Sequence, residues 1–172
     1  MKYFVWLISF FLFISLNAKE THMQVISSAF ENGGVIPSRY TCDGENISIP
    51  LEFIDVPANT KSLAVIMDDP DAPMGVFVHW VMYDIPASIK ELPAGIPQAP
   101  VLEYGIKQGI NDFGTIGYGG PCPPNGAHRY YIKVYALDTL PDLKPGLTKM
   151  QLLQAIEPYI IDEGVLMGIY ER

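Results

Sequence analysis

Hydrophobic positions in this chain fall in short runs broken by turn residues, the pattern of strands rather than long helices. Leu63-Ala64-Val65-Ile66-Met67 is continuously apolar, as expected of a strand buried on both faces. Phe77 to Ile85 is a second β-rich run. Tyr130, Ile132, Val134 and Ala136 then alternate with Arg129, Tyr131, Lys133 and Tyr135. That period of two predicts a half-buried strand, with His128 on its apolar face. Val165 to Tyr170 reads as a last strand. With 15 Pro and 15 Gly, the runs are closely punctuated. Pro86, Pro93, Pro97 and Pro100 make Ala87 to Leu102 a long ordered crossover rather than a strand.

The clearest helix starts at Thr148. Thr148 and Gln151 have capping-box spacing, and Leu147 with Leu152 can form a hydrophobic staple. Met150, Leu153 and Ile156 follow at helical spacing, and Pro158 ends or kinks the run. A weaker helical turn is expected around Ala87 to Leu92. Many short strands with helices confined to the periphery predict a mainly β protein, an antiparallel β-sandwich with a few short helices, one near the C-terminus.

The start of the chain changes the picture of where this domain works. Lys2 precedes an apolar run from Tyr3 to Leu16, and Leu16-Asn17-Ala18 offers a small residue at a cut site. Residues 1–18 therefore read as a cleaved signal peptide and 19–172 as a single domain, secreted or periplasmic. An uncleaved anchor is the alternative. Cleavage removes Lys2 and takes the formal net charge from −8 to −9. So acidic a domain, with no basic run, argues against nucleic acid as a partner and against broad attraction to anionic membranes. A membrane would be met only through a head group. In an oxidising compartment the two cysteines, Cys42 and Cys122, are candidates for a bridge. Two separate thiols remain the alternative.

Candidate chemistry gathers in two segments. The first is Asp68-Asp69-Pro70-Asp71-Ala72-Pro73, with His79-Trp80 following. Its prolines stiffen a loop that presents carboxylates, and one of them could pair with His79 and fix its tautomer. A turn whose Asp side chains cap their own backbone is the plainer explanation. The second is Gly117-Tyr118-Gly119-Gly120-Pro121-Cys122-Pro123-Pro124, leading to His128-Arg129-Tyr130. The glycines permit close backbone approach, and successive N–H groups there could form an anion nest beside His128. If the two His-bearing strands lie side by side, carboxylates, imidazoles and the Gly-Gly backbone meet in one pocket suited to a small anionic head group.

Catalytic alternatives are less well supported. The His and Asp residues lack the close spacing of a metal site, and no Gly-x-Ser-x-Gly marks a serine nucleophile. Cys-His chemistry would need Cys122 as a free thiolate near His128.

The set Tyr40-Thr41-Cys42-Asp43-Gly44, Asp68 to Pro73, Val78-His79-Trp80, Asn111-Asp112-Phe113-Gly114, Gly117 to Pro124 and His128-Arg129-Tyr130 resembles the phosphatidylethanolamine-binding proteins. The match is to their bacterial, Raf-kinase-inhibitor-like YbhB/YbcL type. The resemblance implies an antiparallel β-sandwich and a pocket for phosphate or phosphoethanolamine-like groups. By motif that pocket would draw on Asp69, Asp71, Pro73, His79, Gly119, Gly120, Pro121, His128 and Tyr130. It implies no catalysis and no cofactor. The expected partner is a small anionic or phosphorylated ligand. The alternative is a secreted protein-interaction or inhibitor module, and the oligomeric state stays open, a homodimer included. Ile49 stands where relatives carry a second proline.

Overall fold

The computed structural model describes residues 22–172; the expected signal peptide and the start of the domain at Lys19 lie outside them. Nine elements of regular structure follow in order. They are β1 (Gln24–Ile26), β2 (Leu51–Ile54), β3 (Ser62–Asp69), β4 (Phe77–Pro86), β5 (Glu91–Leu92), β6 (Lys107–Gln108), β7 (Ala127–Leu137), α1 (Lys149–Ile156) and β8 (Ile160–Glu171). Single 3-10 turns add to these at Ser38–Tyr40, Glu103–Gly105 and Glu157–Tyr159. All strand pairs are antiparallel. One sheet has the order β1-β2-β5 and the other β6-β4-β3-β7-β8.

Strand β3 is the axis of the molecule, and its alternation sorts two cores. Leu63, Val65 and Met67 point between the sheets, where they meet Trp80, Ile132, Val134, Phe53 and Leu51. Ala64 and Ile66 point the other way, under α1, against Tyr83, Leu152 and Ile156. Burial on both faces explains why this strand carries no polar residue between Ser62 and Asp68. Strand β7 alternates as expected, with Tyr130, Ile132, Val134 and Ala136 in the sandwich. Helix α1 begins at the expected cap. The Thr148 side chain accepts from the Gln151 N–H, and the Gln151 side chain accepts from the Thr148 N–H. The helix gives way at Glu157–Tyr159 to a 3-10 turn around Pro158.

Two expectations are corrected. No helical turn forms over Ala87 to Leu92; Glu91–Leu92 instead pairs with β2, because Leu92 is needed to close the sandwich. The last strand starts at Ile160, five residues before Val165. Its inward positions 164 and 168 are glycines, and a Cβ there would run into Val25 and Met23 at one and Ile36 and Phe30 at the other. Close sheet packing thus requires small residues where a hydrophobic signal would otherwise stand.

Candidate functional site

The last two residues of β3 leave on opposite faces. Asp68 stays on the α1 side, where Lys133 reaches it at 3.2 Å and Lys149 also bonds it. This buried carboxylate ties the start of α1 to the sheet. Asp69 turns to the sandwich end, one step beyond the last β3–β7 pair, Asp68 with Tyr131. One of its oxygens accepts from the Asp71 N–H at 2.8 Å, an Asx turn that starts the proline-stiffened loop. The other accepts from His128 Nδ1 at 2.7 Å.

The strands bearing His79 and His128 are not neighbours. Strand β3 runs between β4 and β7, so the two imidazoles approach from either side of Asp69. The carboxylate pairs with His128 and not with His79. His79 Nδ1 instead donates to the Gly119 carbonyl at 2.7 Å. A carbonyl can only accept, so this contact fixes the Nδ1–H tautomer. Among the described residues neither Nε2 has a hydrogen-bond partner. Burial holds the His79 imidazole below its ordinary value. Phe77, Phe113 and Tyr130 box it in, with ring centroids 5.2, 5.3 and 5.2 Å away, a surround that disfavours the charged ring; in the neutral Nδ1–H form Nε2 is an acceptor.

Asp71 does not face the cavity. It forms a fork-to-fork pair with Arg129, with contacts of 2.8 and 2.7 Å, and also accepts from the Arg129 N–H at 2.9 Å. The guanidinium holds its carboxyl far below the usual carboxylate range. This pair clamps the loop after β3 onto the start of β7.

The Gly-Gly backbone is not an anion nest. The Gly119 N–H donates to the His79 carbonyl at 2.8 Å, and the Gly120 N–H to Asn46 Oδ1 at 2.8 Å. Both donors are spent. The glycines serve close packing instead. A Cβ on Gly119 would lie 2.5 Å from the Phe113 ring, and one on Gly120 2.5 Å from the Tyr40 carbonyl oxygen. Pro121 is likewise structural, its carbonyl accepting from the Cys42 N–H at 3.0 Å. Cys42 and Cys122 form a disulfide, and Tyr118 donates its hydroxyl to the Tyr40 carbonyl at 2.7 Å. These contacts staple residues 118–122 to residues 40–46. The bridge also removes Cys122 as a free thiolate.

What remains is a cavity of about 600 Å³ whose wall includes Asp69, Pro73, His79, His128 and Tyr130. Of the nine residues read from sequence, these five are brought together; Asp71, Gly119, Gly120 and Pro121 stand behind the wall. Tyr130 is fully buried, and its hydroxyl has no hydrogen-bond partner. It faces the Cys122 backbone without reaching hydrogen-bond geometry, and burial pushes the phenol well above its ordinary value. Sequence reasoning missed the rim. Met74, Val76, Phe77, Asp112 and Phe113 all line the cavity. Asp112 exchanges hydrogen bonds with Val78, accepting from its N–H at 2.7 Å and donating to its carbonyl at 2.9 Å. The Asn111-Asp112-Phe113-Gly114 segment was visible as a motif, but nothing in its pattern placed it beside Phe77. Among the described residues no group of His, Cys, Asp and Glu is arranged to hold a metal ion.

Comparison with known proteins agrees with this architecture. The family model for phosphatidylethanolamine-binding proteins matches residues 26–171. A UPF0098 protein of Methanothermobacter thermautotrophicus is 52% identical over 150 residues, covering 87% of this chain and 99% of that relative. A UPF0098 protein of Aquifex aeolicus is 49% identical, covering 87% and 89%. A crystal structure of a Chlamydia trachomatis homologue of phosphatidylethanolamine-binding protein superposes with a TM-score of 0.81 at 42% identity, covering 88% and 98%. Escherichia coli YbcL, described as a member of the mammalian family, gives 0.80 at 33% identity, covering 88% and 99%.

Proposed function

The chain belongs to the phosphatidylethanolamine-binding protein family, and we propose that this member binds the phosphorylated head group of a small ligand, without turnover, in the cavity between His79, His128 and Tyr130. The observation that carries this reading is the Tyr130 hydroxyl. A buried polar group without a partner costs free energy, and this one belongs to a residue of the cavity wall but is itself closed off from water, so a ligand oxygen meets it only when the wall gives slightly. The hydroxyl donates to a phosphate oxygen. His79, in its neutral form, accepts through Nε2 from the singly protonated phosphate, the form a phosphomonoester takes as pH falls below about 6. His128, aimed by Asp69, presents its Nε2 to the same group. The exposed carboxylate of Asp112 suits an amine on the ligand, as in phosphoethanolamine. With a leader at residues 1–18, the protein would meet such ligands outside the cytoplasm.

A second reading is docking of a partner protein, for which the exposed apolar rim speaks. Met74 is fully exposed and Phe113 is 47% exposed, side by side with the cavity. Calorimetric titration with O-phosphoethanolamine, run beside His128→Ala, separates the two. Saturable binding lost in the variant supports the head-group site. Unchanged binding in His128→Ala refutes it. Saturation only in the millimolar range, worth about −4 kcal/mol, moves the weight to a protein partner.

A further inference from the structure

A second cavity, of about 400 Å³, lies under the crossover between β5 and β6. Its wall is formed by Met82, Leu92 and Ile106, all buried, and by the partly buried Ile89, Ile96 and Leu102. Such a volume and lining are typical of small-molecule sites. The rim is different in kind. Glu91 and Glu103 line it, both exposed. Glu52 sits directly across the β2–β5 ladder from Glu91, an unfavourable placement for like charges. Among the described residues none of the three glutamates is ion-paired. Lys90, the residue before Glu91, directs its amine to the Ala87 carbonyl instead.

Tyr104 completes the rim. It is 78% exposed, and its backbone sits at φ 58°, ψ 16°, a region unfavourable for a bulky residue. The Leu102 N–H donates to the Ile106 carbonyl at 2.8 Å, closing a tight loop with Tyr104 at its tip. An aromatic ring and carboxylates over an apolar floor favour one chemistry. We infer that this cavity is a second ligand site, for a small organic cation with an apolar body, such as an alkylammonium. The hydrocarbon fills the floor, and the ammonium relieves the glutamates and faces the tyrosine ring. A second copy of this chain is disfavoured as occupant by its own net charge of −8.

The test is titration of the protein with n-hexylammonium, hexanol and hexanoate, read from the methyl resonances of Met82, Leu92 and Ile106. Hexylammonium should saturate, shift those methyls, and bind about tenfold tighter than hexanol, given partly exposed ion pairing to more than one carboxylate. Glu91→Gln with Glu103→Gln changes only exposed side chains, so folding should be intact, and that advantage should disappear. Saturating O-phosphoethanolamine should leave the titration unchanged, which keeps this site distinct from the first. Equal binding of amine and alcohol, an unchanged double variant, or no shift of the floor methyls would overturn the inference.

Discussion

Tyr130→Phe should make the protein more stable and a poorer binder at once. The substitution removes one buried oxygen and leaves the ring. The edge contact with His79 at 5.2 Å and the stack on His128 at 6.5 Å depend on the ring alone, so packing is unchanged. The hydroxyl is fully buried and unpartnered. Leaving a polar group in that state costs about 1–3 kcal/mol, and the variant recovers it. For a domain of this size each kcal/mol moves Tm by about 2–4 °C, so a rise of several degrees is expected without ligand. A hydrogen bond to a charged oxygen is worth roughly 1.5–3 kcal/mol, so phosphate-group affinity should fall roughly 10- to 150-fold. Thermal unfolding and calorimetry on the same preparations measure both. A fall in Tm would mean that the hydroxyl already has a partner. Affinity within twofold of the parent would mean that no ligand oxygen reaches it. Either result refutes the role given to Tyr130.

Asp69→Asn keeps an oxygen for the Asp71 N–H but sets an amide against His128 Nδ1. The His128 tautomer should change in nitrogen-detected NMR and head-group affinity should fall about tenfold or more; an unchanged tautomer would dismiss the positioning role. His79, held below its ordinary value of 6.5 by burial, makes stability pH-dependent. The unfolded chain takes up a proton near that value while the folded protein does not. The contribution is therefore complete above about pH 6.5 and is lost as pH falls toward the folded pKa. Urea midpoints from pH 7.5 to 5 should decline less in His79→Asn than in the parent, and parallel slopes would contradict this. Cys42→Ala with Cys122→Ala opens a link between positions 80 apart, which by loop entropy costs up to about 4.5 kcal/mol. A loss below about 1 kcal/mol in urea would show that the bridge adds little to the backbone staple around it.

The fold was legible where one strand served two cores or one. The all-apolar run of β3 and the alternation of β7 announced themselves, as did the cap of α1. Strand β1 has three residues and β2 four, too few for a period to emerge. Strand β8 hid behind Gly164 and Gly168, which stand inward because the opposing sheet leaves no space for a side chain. At the site, sequence picked out the right residues more often than the right roles. The Gly-Gly pair reads as an anion nest from composition, but a free N–H is a property of the fold. Here His79 and Asn46 consume both. Likewise the pairing of Asp69 with His128 rather than His79 depends on which strand lies between the others, and no local spacing encodes strand order.

The consequence is a pocket whose rigidity and whose chemistry are assigned to different atoms of the same residues. Each imidazole spends Nδ1 on the scaffold and keeps Nε2. Asp69 spends both oxygens, one on the loop and one on His128. Asp71 spends its carboxylate on Arg129, and the disulfide fixes the wall that carries Cys122. Little side-chain freedom is left to lose on binding, so the side-chain share of the entropy that opposes association is small here. The loop after β3 is the exception. Gly75 holds φ 105° with open space about it, and Met74 is fully exposed. Ligand choice should accordingly respond to changes at 74–76 through contacts with the body of the ligand. Changes at Asp71 or Asp69 should act on every head group alike, because they alter the frame that all of them would share.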